Sequence, residues 1–295
     1  GYPARRHEPR RGWGAIPTPE MAPPPRGHAV GAARLLVFNS GSSSLKFALF
    51  RAADPPVRLL AGVVERVGRA DASVRWVADD GTVVCLPGPP GEVGGWLLEA
   101  LASAGHLRGV VGVGHRLVHG GANHFDPTVV SPSLLADLRE AVPLSPLHLP
   151  PALALIESVA ARLPGVPQVA CFDTCFHRDL PAVARMLPIP RRYAAAGLRR
   201  YGFHGLSYAY LMEELGRIDP VAVGGRVVLA HLGSGASLAA VSGGRCIDTT
   251  MGLTPAGGLV MGTRSGDLDP GVIVHLIRTE GLTAEEIEER ITRES

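Results

Sequence analysis

The segment that decides the fold is Leu35-Leu-Val-Phe-Asn-Ser-Gly-Ser-Ser-Ser-Leu-Lys-Phe-Ala-Leu-Phe50. Its apolar runs at 35–38 and 45–50 predict two buried strands, and the glycine and serines between them predict a turn. Gly41 lets the backbone approach a ligand closely, while serine hydroxyls and amide N–H groups are neutral donors to phosphate oxygens. The sequence therefore predicts a phosphate-binding β-hairpin.

Two rare residue types meet in this hairpin. The chain has 28 arginines but one lysine, Lys46, and its two asparagines are Asn39 and Asn123. An ammonium is a compact cation with three donors, whereas a guanidinium is a planar fork, so a lysine beside serines indicates a point charge for phosphate. For the lysine alone, chance placement stays open. The sequence contains no Gly-x-x-x-x-Gly-Lys-Ser/Thr pattern, so this is not a Walker A loop.

Composition indicates a globular protein without a nucleic-acid or membrane partner. A chain of 295 residues that is 46% hydrophobic and 19% charged can bury one large or two medium cores. Its net charge is +2, its arginines are scattered and its aromatic content is 5%, none of which implies nucleic acid. Four cysteines are too few for a disulfide framework and no apolar stretch reaches bilayer length, so we expect a cytoplasmic protein.

The remaining sequence alternates between strand and helix patterns. Strand patterns cover 57–67, 72–85 and 166–172, with a turn at Asp79-Asp-Gly81, and helical patterns cover 95–104, 131–142 and 151–163. Thr283 and Glu286 predict a capping box at the start of a last helix. Segment 226–241 repeats strand, Gly/Ser-rich turn and strand about half a chain after the first hairpin. Two such units facing one cleft are typical of the sugar-kinase, heat-shock-ATPase and actin group, whose domains are ribonuclease H-like. We predict this α/β fold with domains at 34–173 and 174–295, the second incomplete, after a disordered Pro/Arg-rich tail at 1–33.

Six motifs carry a resemblance to a known family. They are Asn39-Ser-Gly-Ser-Ser-Ser-Leu-Lys46, Gly114-His-Arg-Leu-Val-His-Gly-Gly121, Phe172-Asp-Thr-Cys-Phe-His177, Arg200-Tyr-Gly-Phe-His-Gly205, His231-Leu-Gly-Ser-Gly-Ala-Ser237, and Asp248-Thr-Thr-Met-Gly-Leu-Thr-Pro255 followed by Met261-Gly-Thr-Arg-Ser-Gly-Asp-Leu-Asp-Pro270. In this order they resemble the acetate/propionate/butyrate kinase family. The resemblance runs from Leu35 to about the end of the chain.

The resemblance implies a reversible, in-line transfer of a phosphoryl group between ATP and acetate, with Mg²⁺ as cofactor and a homodimer as the assembly. A carboxylate is already ionised at neutral pH, so the attack needs no strong general base. The site instead needs positive charge, which brings two anions together and stabilises the transferring group. Two alternatives stay open: a propionate or other short-chain acyl kinase, and a catalytically silent, truncated relative.

The resemblance also implies roles for particular residues. Arg116 and Arg264 flank the carboxylate and the γ-phosphate, His204 donates to the equatorial oxygens, and Asp173 orients an arginine or helps to place the metal. The acyl pocket is implied at Val118, Leu147, Phe203 and Pro255, although each of these side chains could equally be part of the core. Phosphate and nucleotide contacts are implied at Asn39, Ser42, Ser44, Lys46, His231, Gly233, Ser234 and Gly235. Asn39 is also the implied Mg²⁺ ligand, and a second ligand, a glutamate, is expected beyond Ser295.

Several positions depart from the family pattern or admit another interpretation. Ser234 stands where the family usually has asparagine, and Leu149, Leu206 and Tyr208 alter neighbouring motifs. Asp267 and Asp269 could be a metal pair, but Asp-Leu-Asp-Pro-Gly better predicts a helix start with an N-cap. Cys171, Cys175 and His177 fit packing better than a metal cluster.

The family continues for roughly another hundred residues, a domain-sized segment with a glycine-rich adenosine loop. We therefore expect the chain to be truncated at its C-terminus and inactive by itself.

Overall fold

The computed structural model describes residues 33–41, 44–89 and 91–295. Ser42 and all but the last residue of the predicted tail lie outside the described residues. The strands are β1 Arg34–Ser40, β2 Ser44–Arg51, β3 Val57–Glu65, β4 Ser73–Ala78, β5 Val83–Pro87, β6 Val110–Leu117, β7 Thr128–Val129, β8 Gln168–Phe172, β9 Arg226–Leu232, β10 Ala236–Ser242 and β11 Arg245–Thr249. The helices are α1 Val93–Ser103, α2 Pro132–Glu140, α3 Leu149–Arg162, α4 Ala182–Arg185, α5 Arg191–Ala195, α6 Gly205–Ile218, α7 Pro270–Glu280 and α8 Ala284–Arg293, with single 3-10 turns at Val142–Leu144, Cys175–His177 and Ala222–Gly224.

The first half of the chain builds a mixed sheet of order β5-β4-β3-β2-β1-β6-β8-β7. The predicted hairpin is confirmed, because β1 and β2 pair antiparallel with Asn39 opposite Lys46. On its other side β1 runs parallel to β6, with Asn39 beside Arg116, and β6 runs parallel to β8. The carboxyl ends of these three strands therefore meet at one edge of the sheet, where ligands of open α/β sheets gather.

Helices α1 and α3 cover one face of this sheet. Strand residues such as Leu36, Phe38 and Phe47 pack there against helix residues such as Leu97 and Val159, and all are buried. Burying each of these side chains contributes about 1.5–3 kcal/mol, which holds the strand ends in register.

Element boundaries follow turn chemistry closely. The predicted strand at 72–85 is divided into β4 and β5 at the expected Asp79-Asp-Gly81 turn, where Gly81 has φ +85° and Asp80 accepts from the Thr82 amide. Helix α3 begins at Leu149, two residues before the predicted start. Pro150 and Pro151 both fit its first turn, because residues there need no N–H partner.

The second half forms a smaller antiparallel sheet of order β11-β10-β9. Its strands meet at the predicted Gly/Ser-rich turn, with Ser237 opposite His231. Helix α6 covers one face and buries Tyr208 and Met212 against β10.

The two C-terminal helices begin as their sequences predict. Asp269 caps α7 and Pro270 is its first residue, so the helix-start interpretation of Asp-Leu-Asp-Pro-Gly is confirmed. The capping box of α8, formed by Thr283 and Glu286, is also present. Among the described helices, none combines the length and apolar character needed to cross a membrane.

Three buried histidines make the stability of this fold depend on pH. Burial lowers the pKa of His115, His119 and His177 to about 4 each. In the unfolded chain the same imidazoles titrate near about 6.5. As the pH falls from 6.5 towards 4, the unfolded chain therefore binds protons that the folded chain does not. Each histidine then lowers the free energy of unfolding by up to about 1.4 kcal/mol per pH unit.

We expect the urea midpoint to fall between about pH 7 and about pH 5, and to fall less in His115→Gln, which removes one such group. His275→Gln is the matched control, because His275 is exposed on α7. An equal pH shift in His115→Gln and wild type would contradict this account.

Candidate functional site

One arginine joins three neighbouring strand ends at the edge of the larger sheet. Arg116 donates from Nε and Nη2 to the two carboxylate oxygens of Asp173, at 3.1 and 2.5 Å, and from Nη1 to Asn39 Oδ1 at 2.8 Å. Burial by itself lowers the pKa of Arg116, but Asp173 outweighs burial and raises it above its ordinary value. The guanidinium is therefore charged and fixed in orientation.

Asp173 also positions the opposite wall of the cleft. Its side chain is 4% exposed, so the carboxylate depends on Arg116 for charge compensation. Its backbone oxygen accepts from the Gly205 amide at 2.6 Å, at the start of α6. A Cβ on Gly205 would lie 2.3 Å from that oxygen, so glycine is required at this position. The preceding residue, His204, is thereby placed beside the sheet edge.

His204 presents its imidazole to the cleft from a left-handed backbone conformation, with φ +59°. Its Nδ1 hydrogen-bonds to Ser237 Oγ at 2.8 Å, and its ring stacks on His231 with the centroids 3.9 Å apart. Burial first, then the neighbouring His231 and the cleft arginines, lower the pKa of His204 to about 4. An imidazole with this pKa is uncharged at neutral pH. It can act in the cleft as a neutral N–H donor.

Arg264 supplies the second guanidinium. Its Nη1 donates to the Pro255 carbonyl oxygen at 3.0 Å. Burial, and then the charge of Arg116, lower its pKa from the ordinary value. Two cations that repel each other across one cleft are stabilised by an anion between them.

Gly235 leaves room for the His204 imidazole and the Arg264 guanidinium to approach the same point. A Cβ on Gly235 would lie 3.1 Å from His204 Nε2 and 3.4 Å from Arg264 Nη1. The imidazole and the guanidinium therefore converge over the turn between β9 and β10. A side chain on this turn would occupy the space that a ligand needs.

The cleft between the two sheets has a volume of about 490 Å³. Among the described residues, it brings together the whole predicted catalytic and phosphate-binding set, namely Asn39, Ser44, Lys46, Arg116, Asp173, His204, His231, Gly233, Ser234, Gly235 and Arg264. Its lining is rich in donors and in positive charge, which suits a multiply charged anion. Ser42 lies outside the described residues.

The cleft also contains residues that the sequence prediction missed, chiefly His148 and Ser207. Burial, followed by Arg116 and Arg264, lowers the pKa of His148 to about 4. His148 lines the cleft together with both arginines. Ser207 Oγ hydrogen-bonds to His231 Nδ1 at 3.0 Å. The available signal for His148 was its place as the polar residue just before α3.

The four residues predicted to line the acyl pocket lie in two different places. Leu147 and Pro255 line a second cavity of about 250 Å³, which shares His148 and Arg264 with the main cleft. Val118 and Phe203 line neither of these two cavities, since both are buried in a core cluster with Tyr201 and Met251. Close packing of these apolar side chains in the core stabilises the fold more than their exposure to a polar cleft would.

The other candidate metal ligands make hydrogen bonds within the fold. His177 contacts the Phe203 carbonyl oxygen from Nε2 at 2.9 Å and Cys246 Sγ from Nδ1 at 3.2 Å. Asp267 accepts from the Gly258 amide at 2.8 Å. In the part of the chain that the structure describes, no three His, Cys, Asp or Glu side chains are grouped as a metal site.

Similar proteins share both this sequence and this fold. An acetate kinase from Deinococcus radiodurans is 45% identical over 267 residues, which are 88% of this chain and 66% of that protein. The crystal structure of Porphyromonas gingivalis acetate kinase has a TM-score of 0.78 at 36% identity, covering 90% of this chain and 68% of that one. A propionate kinase from Francisella tularensis has a TM-score of 0.83 at 34% identity, with coverages of 89% and 68%.

The chain thus spans about two thirds of the length of its relatives. The likeness to solved acetate and propionate kinases confirms the predicted actin-like α/β fold class. The sequence profile of the Acetokinase family matches residues 34–295. On this match and these identities, the chain belongs to the Acetokinase family.

Proposed function

We propose that this protein is an acetate kinase, which transfers the γ-phosphoryl group of ATP to acetate and catalyses the reverse reaction. The observation that carries the proposal is the convergence of Arg116, Arg264 and His204 on one cleft that has a phosphate-binding turn on each side. A carboxylate and a polyphosphate repel each other in water. Two fixed guanidiniums remove that repulsion and hold the reactants in line.

The charged and the uncharged cleft residues have different roles in the proposed reaction. Acetate is ionised at neutral pH, so its oxygen attacks without a general base. Arg264 and Arg116 stabilise the negative charge of the carboxylate and of the transferring group, and a planar guanidinium can orient a carboxylate through two hydrogen bonds. The uncharged His204 donates from Nε2 to an equatorial oxygen of the transferring group.

The two glycine- and serine-rich turns would hold the phosphates of the nucleotide. Lys46 and Ser44 face the cleft from the first hairpin, and Gly233 and Ser234 face it from the second. Lys46 lies opposite Asn39 in the β1–β2 pairing, so both side chains lie at the same end of the hairpin. Ser234 can donate to phosphate, although it reaches less far than the asparagine usual in the family.

Asn39 and Asp173 provide the oxygen ligands that Mg²⁺ prefers. Both bind nitrogens of Arg116, so their oxygens lie at the same edge of the sheet. Mg²⁺ sites commonly use one or two carboxylates together with substrate phosphates and water, and this donor set fits such a site. The ion, when bound, would neutralise charge on the phosphates.

A propionate or other short-chain acyl kinase is the second candidate. The propionate kinase from Francisella tularensis resembles this chain as well as the solved acetate kinase does. The cavity beside Leu147 and Pro255 adds about 250 Å³ next to Arg264, which leaves room for a longer acyl chain. One methylene changes the discrimination between two substrates by only about 1–3 kcal/mol. The kcat/KM values for acetate and propionate should therefore differ by a modest factor. By family likeness we further propose a cytoplasmic homodimer.

The direct test uses the protein expressed from its complete reading frame. With ATP and Mg²⁺, trapping with hydroxylamine should detect acyl phosphate from acetate, and propionate and butyrate are compared at equal concentration. A higher kcat/KM for propionate would select the second candidate. A folded protein that binds ATP but forms no acyl phosphate from any of these acids would identify a silent relative and overturn the proposal.

Removal of the second guanidinium should affect turnover more than binding. In Arg264→Ala we expect kcat to fall about 10²- to 10³-fold, as for the loss of one donor to transition-state charge. Arg278→Ala, an exposed arginine on α7, is the matched control and should be unchanged. A raised KM for acetate with normal kcat would instead assign Arg264 to ground-state binding.

A side chain added to the turn between β9 and β10 should block the site without unfolding the protein. In Gly235→Ala the new Cβ would press on His204 Nε2 and Arg264 Nη1, so we expect a loss of kcat with little change in the urea midpoint. Gly224→Ala is the matched control, because a Cβ there meets nothing within 4 Å. Equal activity of the two variants would show that the imidazole and guanidinium can move apart without cost.

A further inference from the structure

A buried chain of hydroxyl groups leads to the inner nitrogen of His204. Tyr208 OH lies 2.5 Å from Ser237 Oγ, and Ser237 Oγ lies 2.8 Å from His204 Nδ1. Tyr208 and Ser237 are both fully buried. This series of hydrogen bonds connects α6 to β10 and ends on the imidazole of His204. The proposed phosphoryl transfer gives neither hydroxyl group a function.

The donors in this series of hydrogen bonds can be assigned from the acidity of each hydroxyl group. Burial raises the pKa of Tyr208, so the phenol keeps its proton at neutral pH. A phenol is far more acidic than a serine hydroxyl and is therefore the better donor across the 2.5 Å contact, so Tyr208 donates to Ser237 Oγ. A serine hydroxyl has a single hydrogen, so a Ser237 that accepts from Tyr208 donates its own hydrogen to His204 Nδ1.

The opposite direction of donation fits the cleft poorly. If His204 Nδ1 carried the hydrogen, Ser237 would accept it and the Nε2 lone pair would face the cleft. That lone pair would lie near Arg264, over the turn where we place anionic phosphate oxygens. An acceptor there repels an anion, whereas an N–H group binds it.

We propose that Tyr208 and Ser237 are positioning residues that hold His204 as the Nε2–H tautomer, with its single N–H donor directed into the cleft. The inference deepens the proposed function, because it rests on His204 donating to the transferring phosphoryl group. A neutral imidazole donates from only one nitrogen, so its tautomer decides whether it can stabilise that group. Neither hydroxyl group needs to touch the substrate.

A tyrosine suits the outer end of this relay. A phenol has one donor hydrogen on one oxygen, whereas a neutral histidine can donate from either nitrogen. Tyr208 therefore determines the direction of donation without relying on a second tautomer. Ser237 is fully buried, so solvent water has no access to replace the phenol.

The decisive measurement is the protonation pattern of His204 in the wild-type protein. Nitrogen-15 NMR of histidine-labelled protein at neutral pH, assigned by the signal lost in His204→Gln, should show a protonated Nε2 and a bare Nδ1. A protonated Nδ1 would overturn the proposal, whatever the activity. Absence of kinase activity together with the expected tautomer would overturn the proposed function and leave the relay standing.

Steady-state kinetics test the consequence. Ser237→Ala should lower kcat by about 10- to 100-fold, the range for losing an orienting partner, with the KM values for ATP and acetate within about threefold of wild type. Tyr208→Phe keeps the ring and should lower kcat about threefold to tenfold, as for one neutral hydrogen bond. Ser237→Thr retains the hydroxyl group and should recover most of the loss.

Tyr210→Phe is the matched control, because Tyr210 lies on the same helix but is 60% exposed. It should match wild type. If Tyr208→Phe and Ser237→Ala kept wild-type kcat with an unchanged His204 spectrum, the hydroxyl chain would be structural only and the proposal would be wrong.

Discussion

The pairing of Arg116 with Asp173 is the interaction on which the rest of the site depends. Both groups lie at the ends of parallel strands that are fixed by the core beneath the sheet, so their alignment is set before any ligand arrives. A buried carboxylate is costly unless a partner compensates its charge, and here the guanidinium does so through two hydrogen bonds. The same guanidinium holds Asn39, which adds the third strand end.

Asp173 extends this order to the second half of the chain. Its side chain holds Arg116, while its backbone oxygen receives the amide at the start of α6. His204 lies immediately before this contact and has a left-handed backbone conformation. A non-glycine residue in this region is strained, and such strain is commonly found at functional sites. Asp173 therefore links Arg116 on one side of the cleft to His204 on the other side.

The sequence predicted those parts of the structure that short-range patterns determine. The first hairpin, the turn at Asp79 and the capping of α7 and α8 each depend on a few adjacent residues, and all were found. The resemblance also named residues that the structure brings together in one cleft, such as Arg116 and Arg264. The sequence left open whether Val118 and Phe203 line a pocket or pack in the core, because packing depends on distant segments such as Met251 and Met261. The lowered pKa of His204 and the place of His148 both follow from three-dimensional burial, so no short-range pattern predicts them.

The stacked pair His204 and His231 limits how the cleft can change its charge. Burial first lowers the pKa of each imidazole, and the charge of His231 further lowers that of His204, so a proton on one ring opposes a proton on the other. The cleft therefore behaves near neutrality as a site with constant positive potential, set by guanidiniums that never deprotonate. The charge that the cleft presents to an anion is therefore nearly independent of pH around neutrality.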